Sequence, residues 1–458
     1  MVFSSVSFLF FFLPILLLFY KIVPKAWRNG VLLIFSLIFY FFGEKWYLFL
    51  LLFSCVFNYG IGSQLDKKNK KLYLIIGIVV DIGLLFYFKY MNFFLDTFTD
   101  IFNLGTVTLK IILPLGISFF TFQNVSYLID VYRKDAEVER NVFTYTTYIT
   151  LFPQLVAGPI VRYKDVAAQL HHRDESFDLF ASGIRRFTLG LGKKVLIADI
   201  LYNMITAIMA GTMTTVSYWL VAIMFSFQIY YDFSGYSDMA IGLGKMFGFD
   251  FLENFNYPFI ANSVSEFWRR WHMSLSTFFK DYVYIPLGGN RCSLLRNVFN
   301  IFVVWFLTGL WHGADWNFIL WGLYFFVFLC FEKFVLKDKI KNGLLKHVYT
   351  GIVILISFVI FNVTDLSQLW TFLKGMFGIG VDFSNFETLY YLKNVAMILV
   401  VACLGMGPWL KNSIEILKKG KLKTVINGGE VLYVFLILLL SIAGIVSSSF
   451  NPFIYFRF

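Results

Sequence analysis

Charge is what this sequence has least of. Charged residues make up 15% of the 458 positions against 59% hydrophobic, which leaves too little polar surface to coat a soluble globule of this length. Cysteine is nearly absent. Cys55, Cys292, Cys330 and Cys403 lie scattered, without the paired spacing of a metal site or a disulfide framework, and read as small apolar packing residues. No fixed-period repeat or low-complexity linker interrupts the chain, so one continuous membrane domain over 1–458 is expected rather than joined modules. The net charge of +11 is spread over loops instead of gathered in one patch, which argues against nucleic acid as a partner.

What remains is apolar. Runs able to span a bilayer recur from residue 5 to residue 448, and with roughly 20 apolar residues needed per crossing we count about nine to eleven segments. This predicts an all-α polytopic membrane protein whose principal surroundings are lipid. The first run, Ser7 to Tyr20, lacks a basic region before it, and its charges (Lys21, Lys25, Arg28) follow it, so it is expected to stay in the mature chain. Placing the N-terminus outside puts the Lys- and Arg-rich loops in the cytoplasm, as the positive-inside rule asks. The last run, Val431 to Val446, then points outward and the tail 449–458 ends outside.

Two stretches break the hydropathy pattern. Phe152 to Arg186 opens on Phe-Pro-Gln and Ala-Gly-Pro and then turns polar, as a re-entrant turn leading into a cytoplasmic segment would. Asp232 to Arg296 is too polar to span yet carries aromatics throughout, which suits helices lying in the interface. Between Asn297 and Glu332 the apolar run is too long for one untilted crossing at about 1.5 Å per residue. A hairpin-like pair broken at Gly309 and Gly313, or one tilted helix, would accommodate it, and either leaves His312 deep.

An ionisable residue at membrane depth marks a functional site by default. His312 is flanked by Trp311 and by Gly313, with Trp316 and Asn317 just beyond. Burial keeps an imidazole neutral and able to accept a proton, although the same residue also suits simple packing between helices. His272 lies in Glu266-Phe-Trp-Arg-Arg-Trp-His-Met-Ser-Leu-Ser276, where Trp268, His272 and Ser276 would share a helix face at i, i+4 spacing. Arg269, Arg270, Lys280 and Arg291 nearby suit the phosphates of a cytosolic donor, and equally suit anchoring at the membrane surface. The tail Asn451 to Phe458 ends in four aromatics within six positions. Its Tyr455 offers a phenol, whose pKa near 10 makes it easier to activate than a sugar alcohol, while an aromatic belt anchor explains the same composition.

With these motifs the chain resembles the membrane-bound O-acyltransferase family, in the branch of bacterial alginate and peptidoglycan O-acetylation. The matching strings are Leu113 to Gln123, Phe152 to Tyr163, Asp232 to Asp238, Phe267 to Ser276 and Leu310 to Gly313, in family order over most of the chain. The resemblance implies a helical bundle with re-entrant and interfacial helices around a central passage, in the bacterial cytoplasmic membrane. It implies that His312 is the catalytic histidine, His272 a second one, and Tyr455 an acyl carrier. It further implies acetyl-CoA as donor with no bound cofactor or metal, a surface polysaccharide as acceptor, and an extracytoplasmic SGNH esterase-like partner.

On that reading Trp311, Asn317, Trp268, Arg269 and Arg270 contact substrate, with Asn317 or an indole N–H as oxyanion donor. Two alternatives stay open. D-alanyl transfer to teichoic acid would use a carrier protein as donor, and a transporter or flippase would use the same broken helices without any acyl chemistry.

Overall fold

A computed structural model describes residues 2–105, 109, 111–337, 339–419 and 423–447, so Tyr455 and the rest of the tail lie outside the described residues. Among the described residues there is helix and no strand. Seven helices are long and apolar enough to cross a membrane, and Phe8–Ile22 and Tyr47–Gly62 are shorter apolar helices. The all-helical, multi-pass expectation is met. The chain divides into two compact units, 1–187 with 237–252 and 188–236 with 253–458.

In the first unit a cluster of phenylalanines forms the core: Phe3, Phe8, Phe12, Phe39 and Phe152 pack ring on ring at centroid distances of 5.0 to 6.2 Å. Two of the sequence motifs meet here. Gly116 starts the helix Ile117–Arg133 at φ +78°, and a Cβ there would collide with the Leu155 carbonyl, so only glycine fits both the backbone and the contact. The segment from Phe152 to Val161 is buried throughout and mostly non-helical, and the protein supplies its hydrogen bonds. Phe152 N–H donates to Ser36 Oγ at 3.1 Å and Tyr148 OH to the Val161 carbonyl at 3.0 Å. Irregular backbone is tolerated in apolar surroundings only with such partners.

Asp232 to Asp238 lies inside the helix Thr215–Met246 and is buried. Its acids have partners that no local window shows. Lys194 Nζ sits 2.6 Å from Asp232 and 2.8 Å from Asp199, and Arg186 donates to Asp238 at 2.6 Å. Paired carboxylates can be buried where lone ones cannot.

The second unit is organised by a helical hairpin, with Leu294–His312 as one arm and Trp316 onward as the other. Of the two expectations for this run, the hairpin is what forms. The chain breaks at Gly313–Asp315 alone, while Gly309 stays helical. There it faces Gly322 across the arms, their Cα atoms so close that a Cβ on Gly322 would strike the Trp305 carbonyl. Small residues at such a crossing let the two backbones touch.

The crossing generates a prediction. Gly322→Leu should abolish recovery of monodisperse protein from detergent extracts, because a backbone carbonyl cannot yield as a side chain can. Gly351→Ala, where a Cβ meets nothing within 4 Å, should behave as wild type in the same chromatographic assay.

Candidate active site

The hairpin delivers His312 as the last residue of its first arm. A helix end leaves carbonyls unmatched and a side chain free to bend back, and His312 Nδ1 lies 2.7 Å from the Thr308 carbonyl one turn earlier. A carbonyl only accepts, so Nδ1 carries the proton and the lone pair is on Nε2. Asp315 caps the second arm by accepting from Trp316 N–H at 2.7 Å. The ring of His312 is walled by Trp321 at 4.8 Å, Trp311 at 5.0 Å and Phe361 at 5.5 Å. Gly313 keeps that wall closed, since a Cβ on it would enter the Phe318 ring.

His272 arrives from elsewhere in the chain and faces the same space, its ring centroid 6.4 Å from that of His312 and 5.7 Å from Trp311. The expected single helix face through Trp268, His272 and Ser276 does not form. The helix Val264–Arg270 stops, and His272 adopts φ 44° and ψ 53° before Met273–Phe279 begins. The left-handed turn swings the imidazole inward, and both histidines are buried, His272 at 0% exposure and His312 at 3%. Burial holds the pKa of His272 well below the ordinary histidine value, and the neighbouring His312 adds to the effect, so a neutral imidazole is the resting state.

A residue missing from the sequence-based list holds this turn. Asn254 Oδ1 accepts from Ser274 N–H at 3.2 Å and Ser274 Oγ at 2.8 Å, and His272 Nδ1 lies 3.2 Å away. Its own carbonyl accepts from Met273 N–H at 3.0 Å. The pair Asn254 and Asn256 around Phe255, just ahead of Tyr257-Pro258, was the available signal. Nothing in the sequence tied Asn254 to a histidine 18 positions on.

Beside this pair lies a cavity of about 860 Å³, lined at one end by Trp268, Trp305 and Thr308 and elsewhere by Arg269, Lys280, Lys333, Lys337 and Lys346. Glu266 and Glu332 also line it, but both are committed. Glu266 pairs with Arg270 at 2.8 Å, and Glu332 accepts from Val264 N–H, Ser265 N–H and Ser265 Oγ at 2.6 to 2.9 Å. Neither histidine lines the cavity. Trp268 packs on Trp321 at 5.6 Å and Trp321 on His312 at 4.8 Å, so two indole rings link the cavity to His312.

The expected contact residues thus separate. Trp311, Trp268 and Arg269 sit at the histidines or the cavity. Arg270 is taken up by Glu266 and by the Asn256 carbonyl. Asn317 spends its amide hydrogens on the carbonyls of Ile360 and Phe361 at 3.2 and 3.0 Å, which makes it a clamp on the helix Gly343–Asn362. Among the described residues no three His, Cys, Asp or Glu side chains gather as metal ligands would.

Comparison with known proteins gives the same picture. The profile of the membrane-bound O-acyltransferase family matches residues 138–364. A probable alginate O-acetylase of Azotobacter vinelandii is 38% identical over the whole of both chains. The chain belongs to the membrane-bound O-acyltransferase family. A probable alginate O-acetylase of Pseudomonas aeruginosa is 44% identical over 91% of this chain and 83% of its own. A peptidoglycan O-acetyltransferase of Helicobacter pylori is 35% identical over 83% and 80%. The protein is an O-acyltransferase, and its two buried imidazoles stand 6.4 Å apart between ring centroids.

Gly313→Ala tests the packing of this centre. The added methyl should push the Phe318 ring aside and displace His312, lowering acyl transfer by about ten-fold or more at unchanged membrane abundance. Transfer assays normalised to immunoblot measure it.

Proposed function

We propose that this O-acyltransferase takes acetyl from cytosolic acetyl-CoA and passes it outward for O-acetylation of a surface polysaccharide, in the cytoplasmic membrane of a bacterium. The observation that carries the reading is a buried histidine pair that Trp268 and Trp321 link to a cavity with five cationic side chains. Two relatives support the acceptor class by their names, since alginate and peptidoglycan O-acetylation both esterify polysaccharides.

The basic cavity opens to the cytoplasm and holds the donor's phosphates, with Arg269 and Lys280 as contacts. The thioester passes Trp268 to reach His312. His312 Nε2 takes the phenolic proton of Tyr455 as its oxygen attacks the carbonyl, the C–S bond breaks, and the proton leaves on the CoA thiolate. His272 supports the reaction from the opposite side, and the indole N–H of Trp311 replaces Asn317 as oxyanion donor. The aryl acetate on Tyr455 is an activated ester and moves to a polymer hydroxyl on an extracytoplasmic SGNH-type partner. Seven extended residues from Ser449 to Tyr455 span about 23 Å, against about 15 Å for half the hydrocarbon core, so the tail has the reach. The N-terminus and the tail both lie outside.

D-alanyl transfer is the weaker alternative. A teichoic acid D-alanyltransferase of Bacillus subtilis is 31% identical, over 54% of this chain.

His312→Ala should abolish glycan acetylation with membrane abundance intact, while His272→Ala should be milder and chiefly raise the donor requirement. Tyr455→Phe decides the relay. It keeps ring and anchoring area and removes only the nucleophile, so acetylation should vanish, and mass spectrometry should find acetyl on Tyr455 accumulating when the extracellular partner is deleted. Normal glycan acetylation by Tyr455→Phe would return the tail to a membrane anchor.

A further inference from the structure

We infer that Asn254 is the positioning residue of the second histidine: it sets which ring nitrogen of His272 carries the proton, and through that the direction of His272's lone pair. The inference rests on the reading that His272 takes part in acyl transfer.

The atoms decide the tautomer in two steps. Ser274 N–H is a donor and nothing else, and it lies 3.2 Å from Asn254 Oδ1, so that atom is the amide oxygen and the side chain is oriented without ambiguity. An amide oxygen only accepts. His272 Nδ1, 3.2 Å from the same oxygen, therefore donates, and its lone pair is on Nε2. The competing contact is weaker, since Ser274 Oγ stands 3.5 Å from Nδ1 and donates to Asn254 at 2.8 Å. All three residues are buried, Asn254 at 0% exposure, so water does not replace the amide.

A structural explanation exists for part of this arrangement. Asn254 also bonds Ser274 and so braces the left-handed turn, and that bracing alone would justify its burial. The bond to Nδ1 is a separate matter. A histidine needs one ring nitrogen protonated and the other available, and its partner at the first sets the second. His312 has the same arrangement through the Thr308 carbonyl. Both rings therefore present Nε2 as acceptor, one held by a backbone group and one by a side chain that mutation can change.

Three variants of the intact protein separate positioning from bracing, read by the rate of acyl transfer against donor concentration and pH. Asn254→Leu removes the acceptor and should lower kcat by about ten-fold or more with donor KM within about two-fold. Asn254→Asp keeps an acceptor oxygen for the turn but adds a negative charge at Nδ1–H, which favours the imidazolium. Among the described contacts of His272 are Phe233, Trp311, Asn254, Ser274 and the titratable His312, and both proteins retain His312. A reaction that needs neutral His272 is lost as pH falls through the raised pKa, so the acidic limb of the profile should move upward by about one pH unit or more, with kcat recovering at high pH. Ser274→Ala removes only a turn donor and should leave kcat and profile within about two-fold of wild type.

An Asn254→Asp profile superimposable on wild type would overturn the inference, leaving Asn254 as a brace. So would Asn254→Leu, well folded, with unaltered kcat. Should Asn254→Leu fail to fold, the aspartate profile decides alone. His272→Ala with full activity would instead remove the underlying reading of His272, whatever Asn254 does.

Discussion

The crossing of the hairpin arms at Gly309 and Gly322 is the constraint on which the rest of the catalytic unit depends. Because the two backbones touch there, the arms cannot slide or roll past one another. His312, one turn from Gly309, therefore has a fixed height and direction. The aromatic wall follows from the same contact, since Trp321 precedes Gly322 and reaches the imidazole from the facing arm. A single small-residue crossing thus fixes the His312 imidazole and the aromatic wall around it.

Polar groups in an apolar protein need their partners arranged in advance, and the structure meets this need in three ways. Lys194 balances acids on two other segments. Backbone carbonyls and amides are met by single side chains, as with Asn317 on the helix Gly343–Asn362 and Glu332 on the helix Val264–Arg270. The two histidines each meet an oxygen at Nδ1, His312 the Thr308 carbonyl and His272 the Asn254 side chain.

Reading the sequence located much of this and misread the rest for identifiable reasons. The apolar runs and their breaks gave the helical class, and the long run ending at Glu332 left a hairpin and one tilted helix open, of which the hairpin forms. His312 stood out because a titratable group in such a run is costly. The burial of Asp232 to Asp238 was not legible because the neutralising lysine and arginine lie some 40 to 50 residues upstream, beyond any local window. The helix through His272 was drawn too long because i, i+4 spacing does not register a residue in the left-handed region. Asn254 was missed for the complementary reason. Its role arises from a turn that only the fold creates, whereas Asn317, singled out for its closeness to His312, turned out to face another helix.

Glu332 and His312 sit toward opposite ends of the hairpin, and the rod between them acts as a ruler. From Trp316 to Glu332 the second arm measures about 24 Å at 1.5 Å per residue. One end bears on the histidine through Trp321, and the other holds the helix that carries Trp268 and Arg269. The spacing between Glu332 and the turn that carries His312 is therefore a helix length, counted in residues. One residue inserted in that arm would lengthen it by only about 1.5 Å but would rotate everything beyond by about 100°, turning Glu332 off the helix it holds. In this architecture a distance along the arm is encoded as a phase.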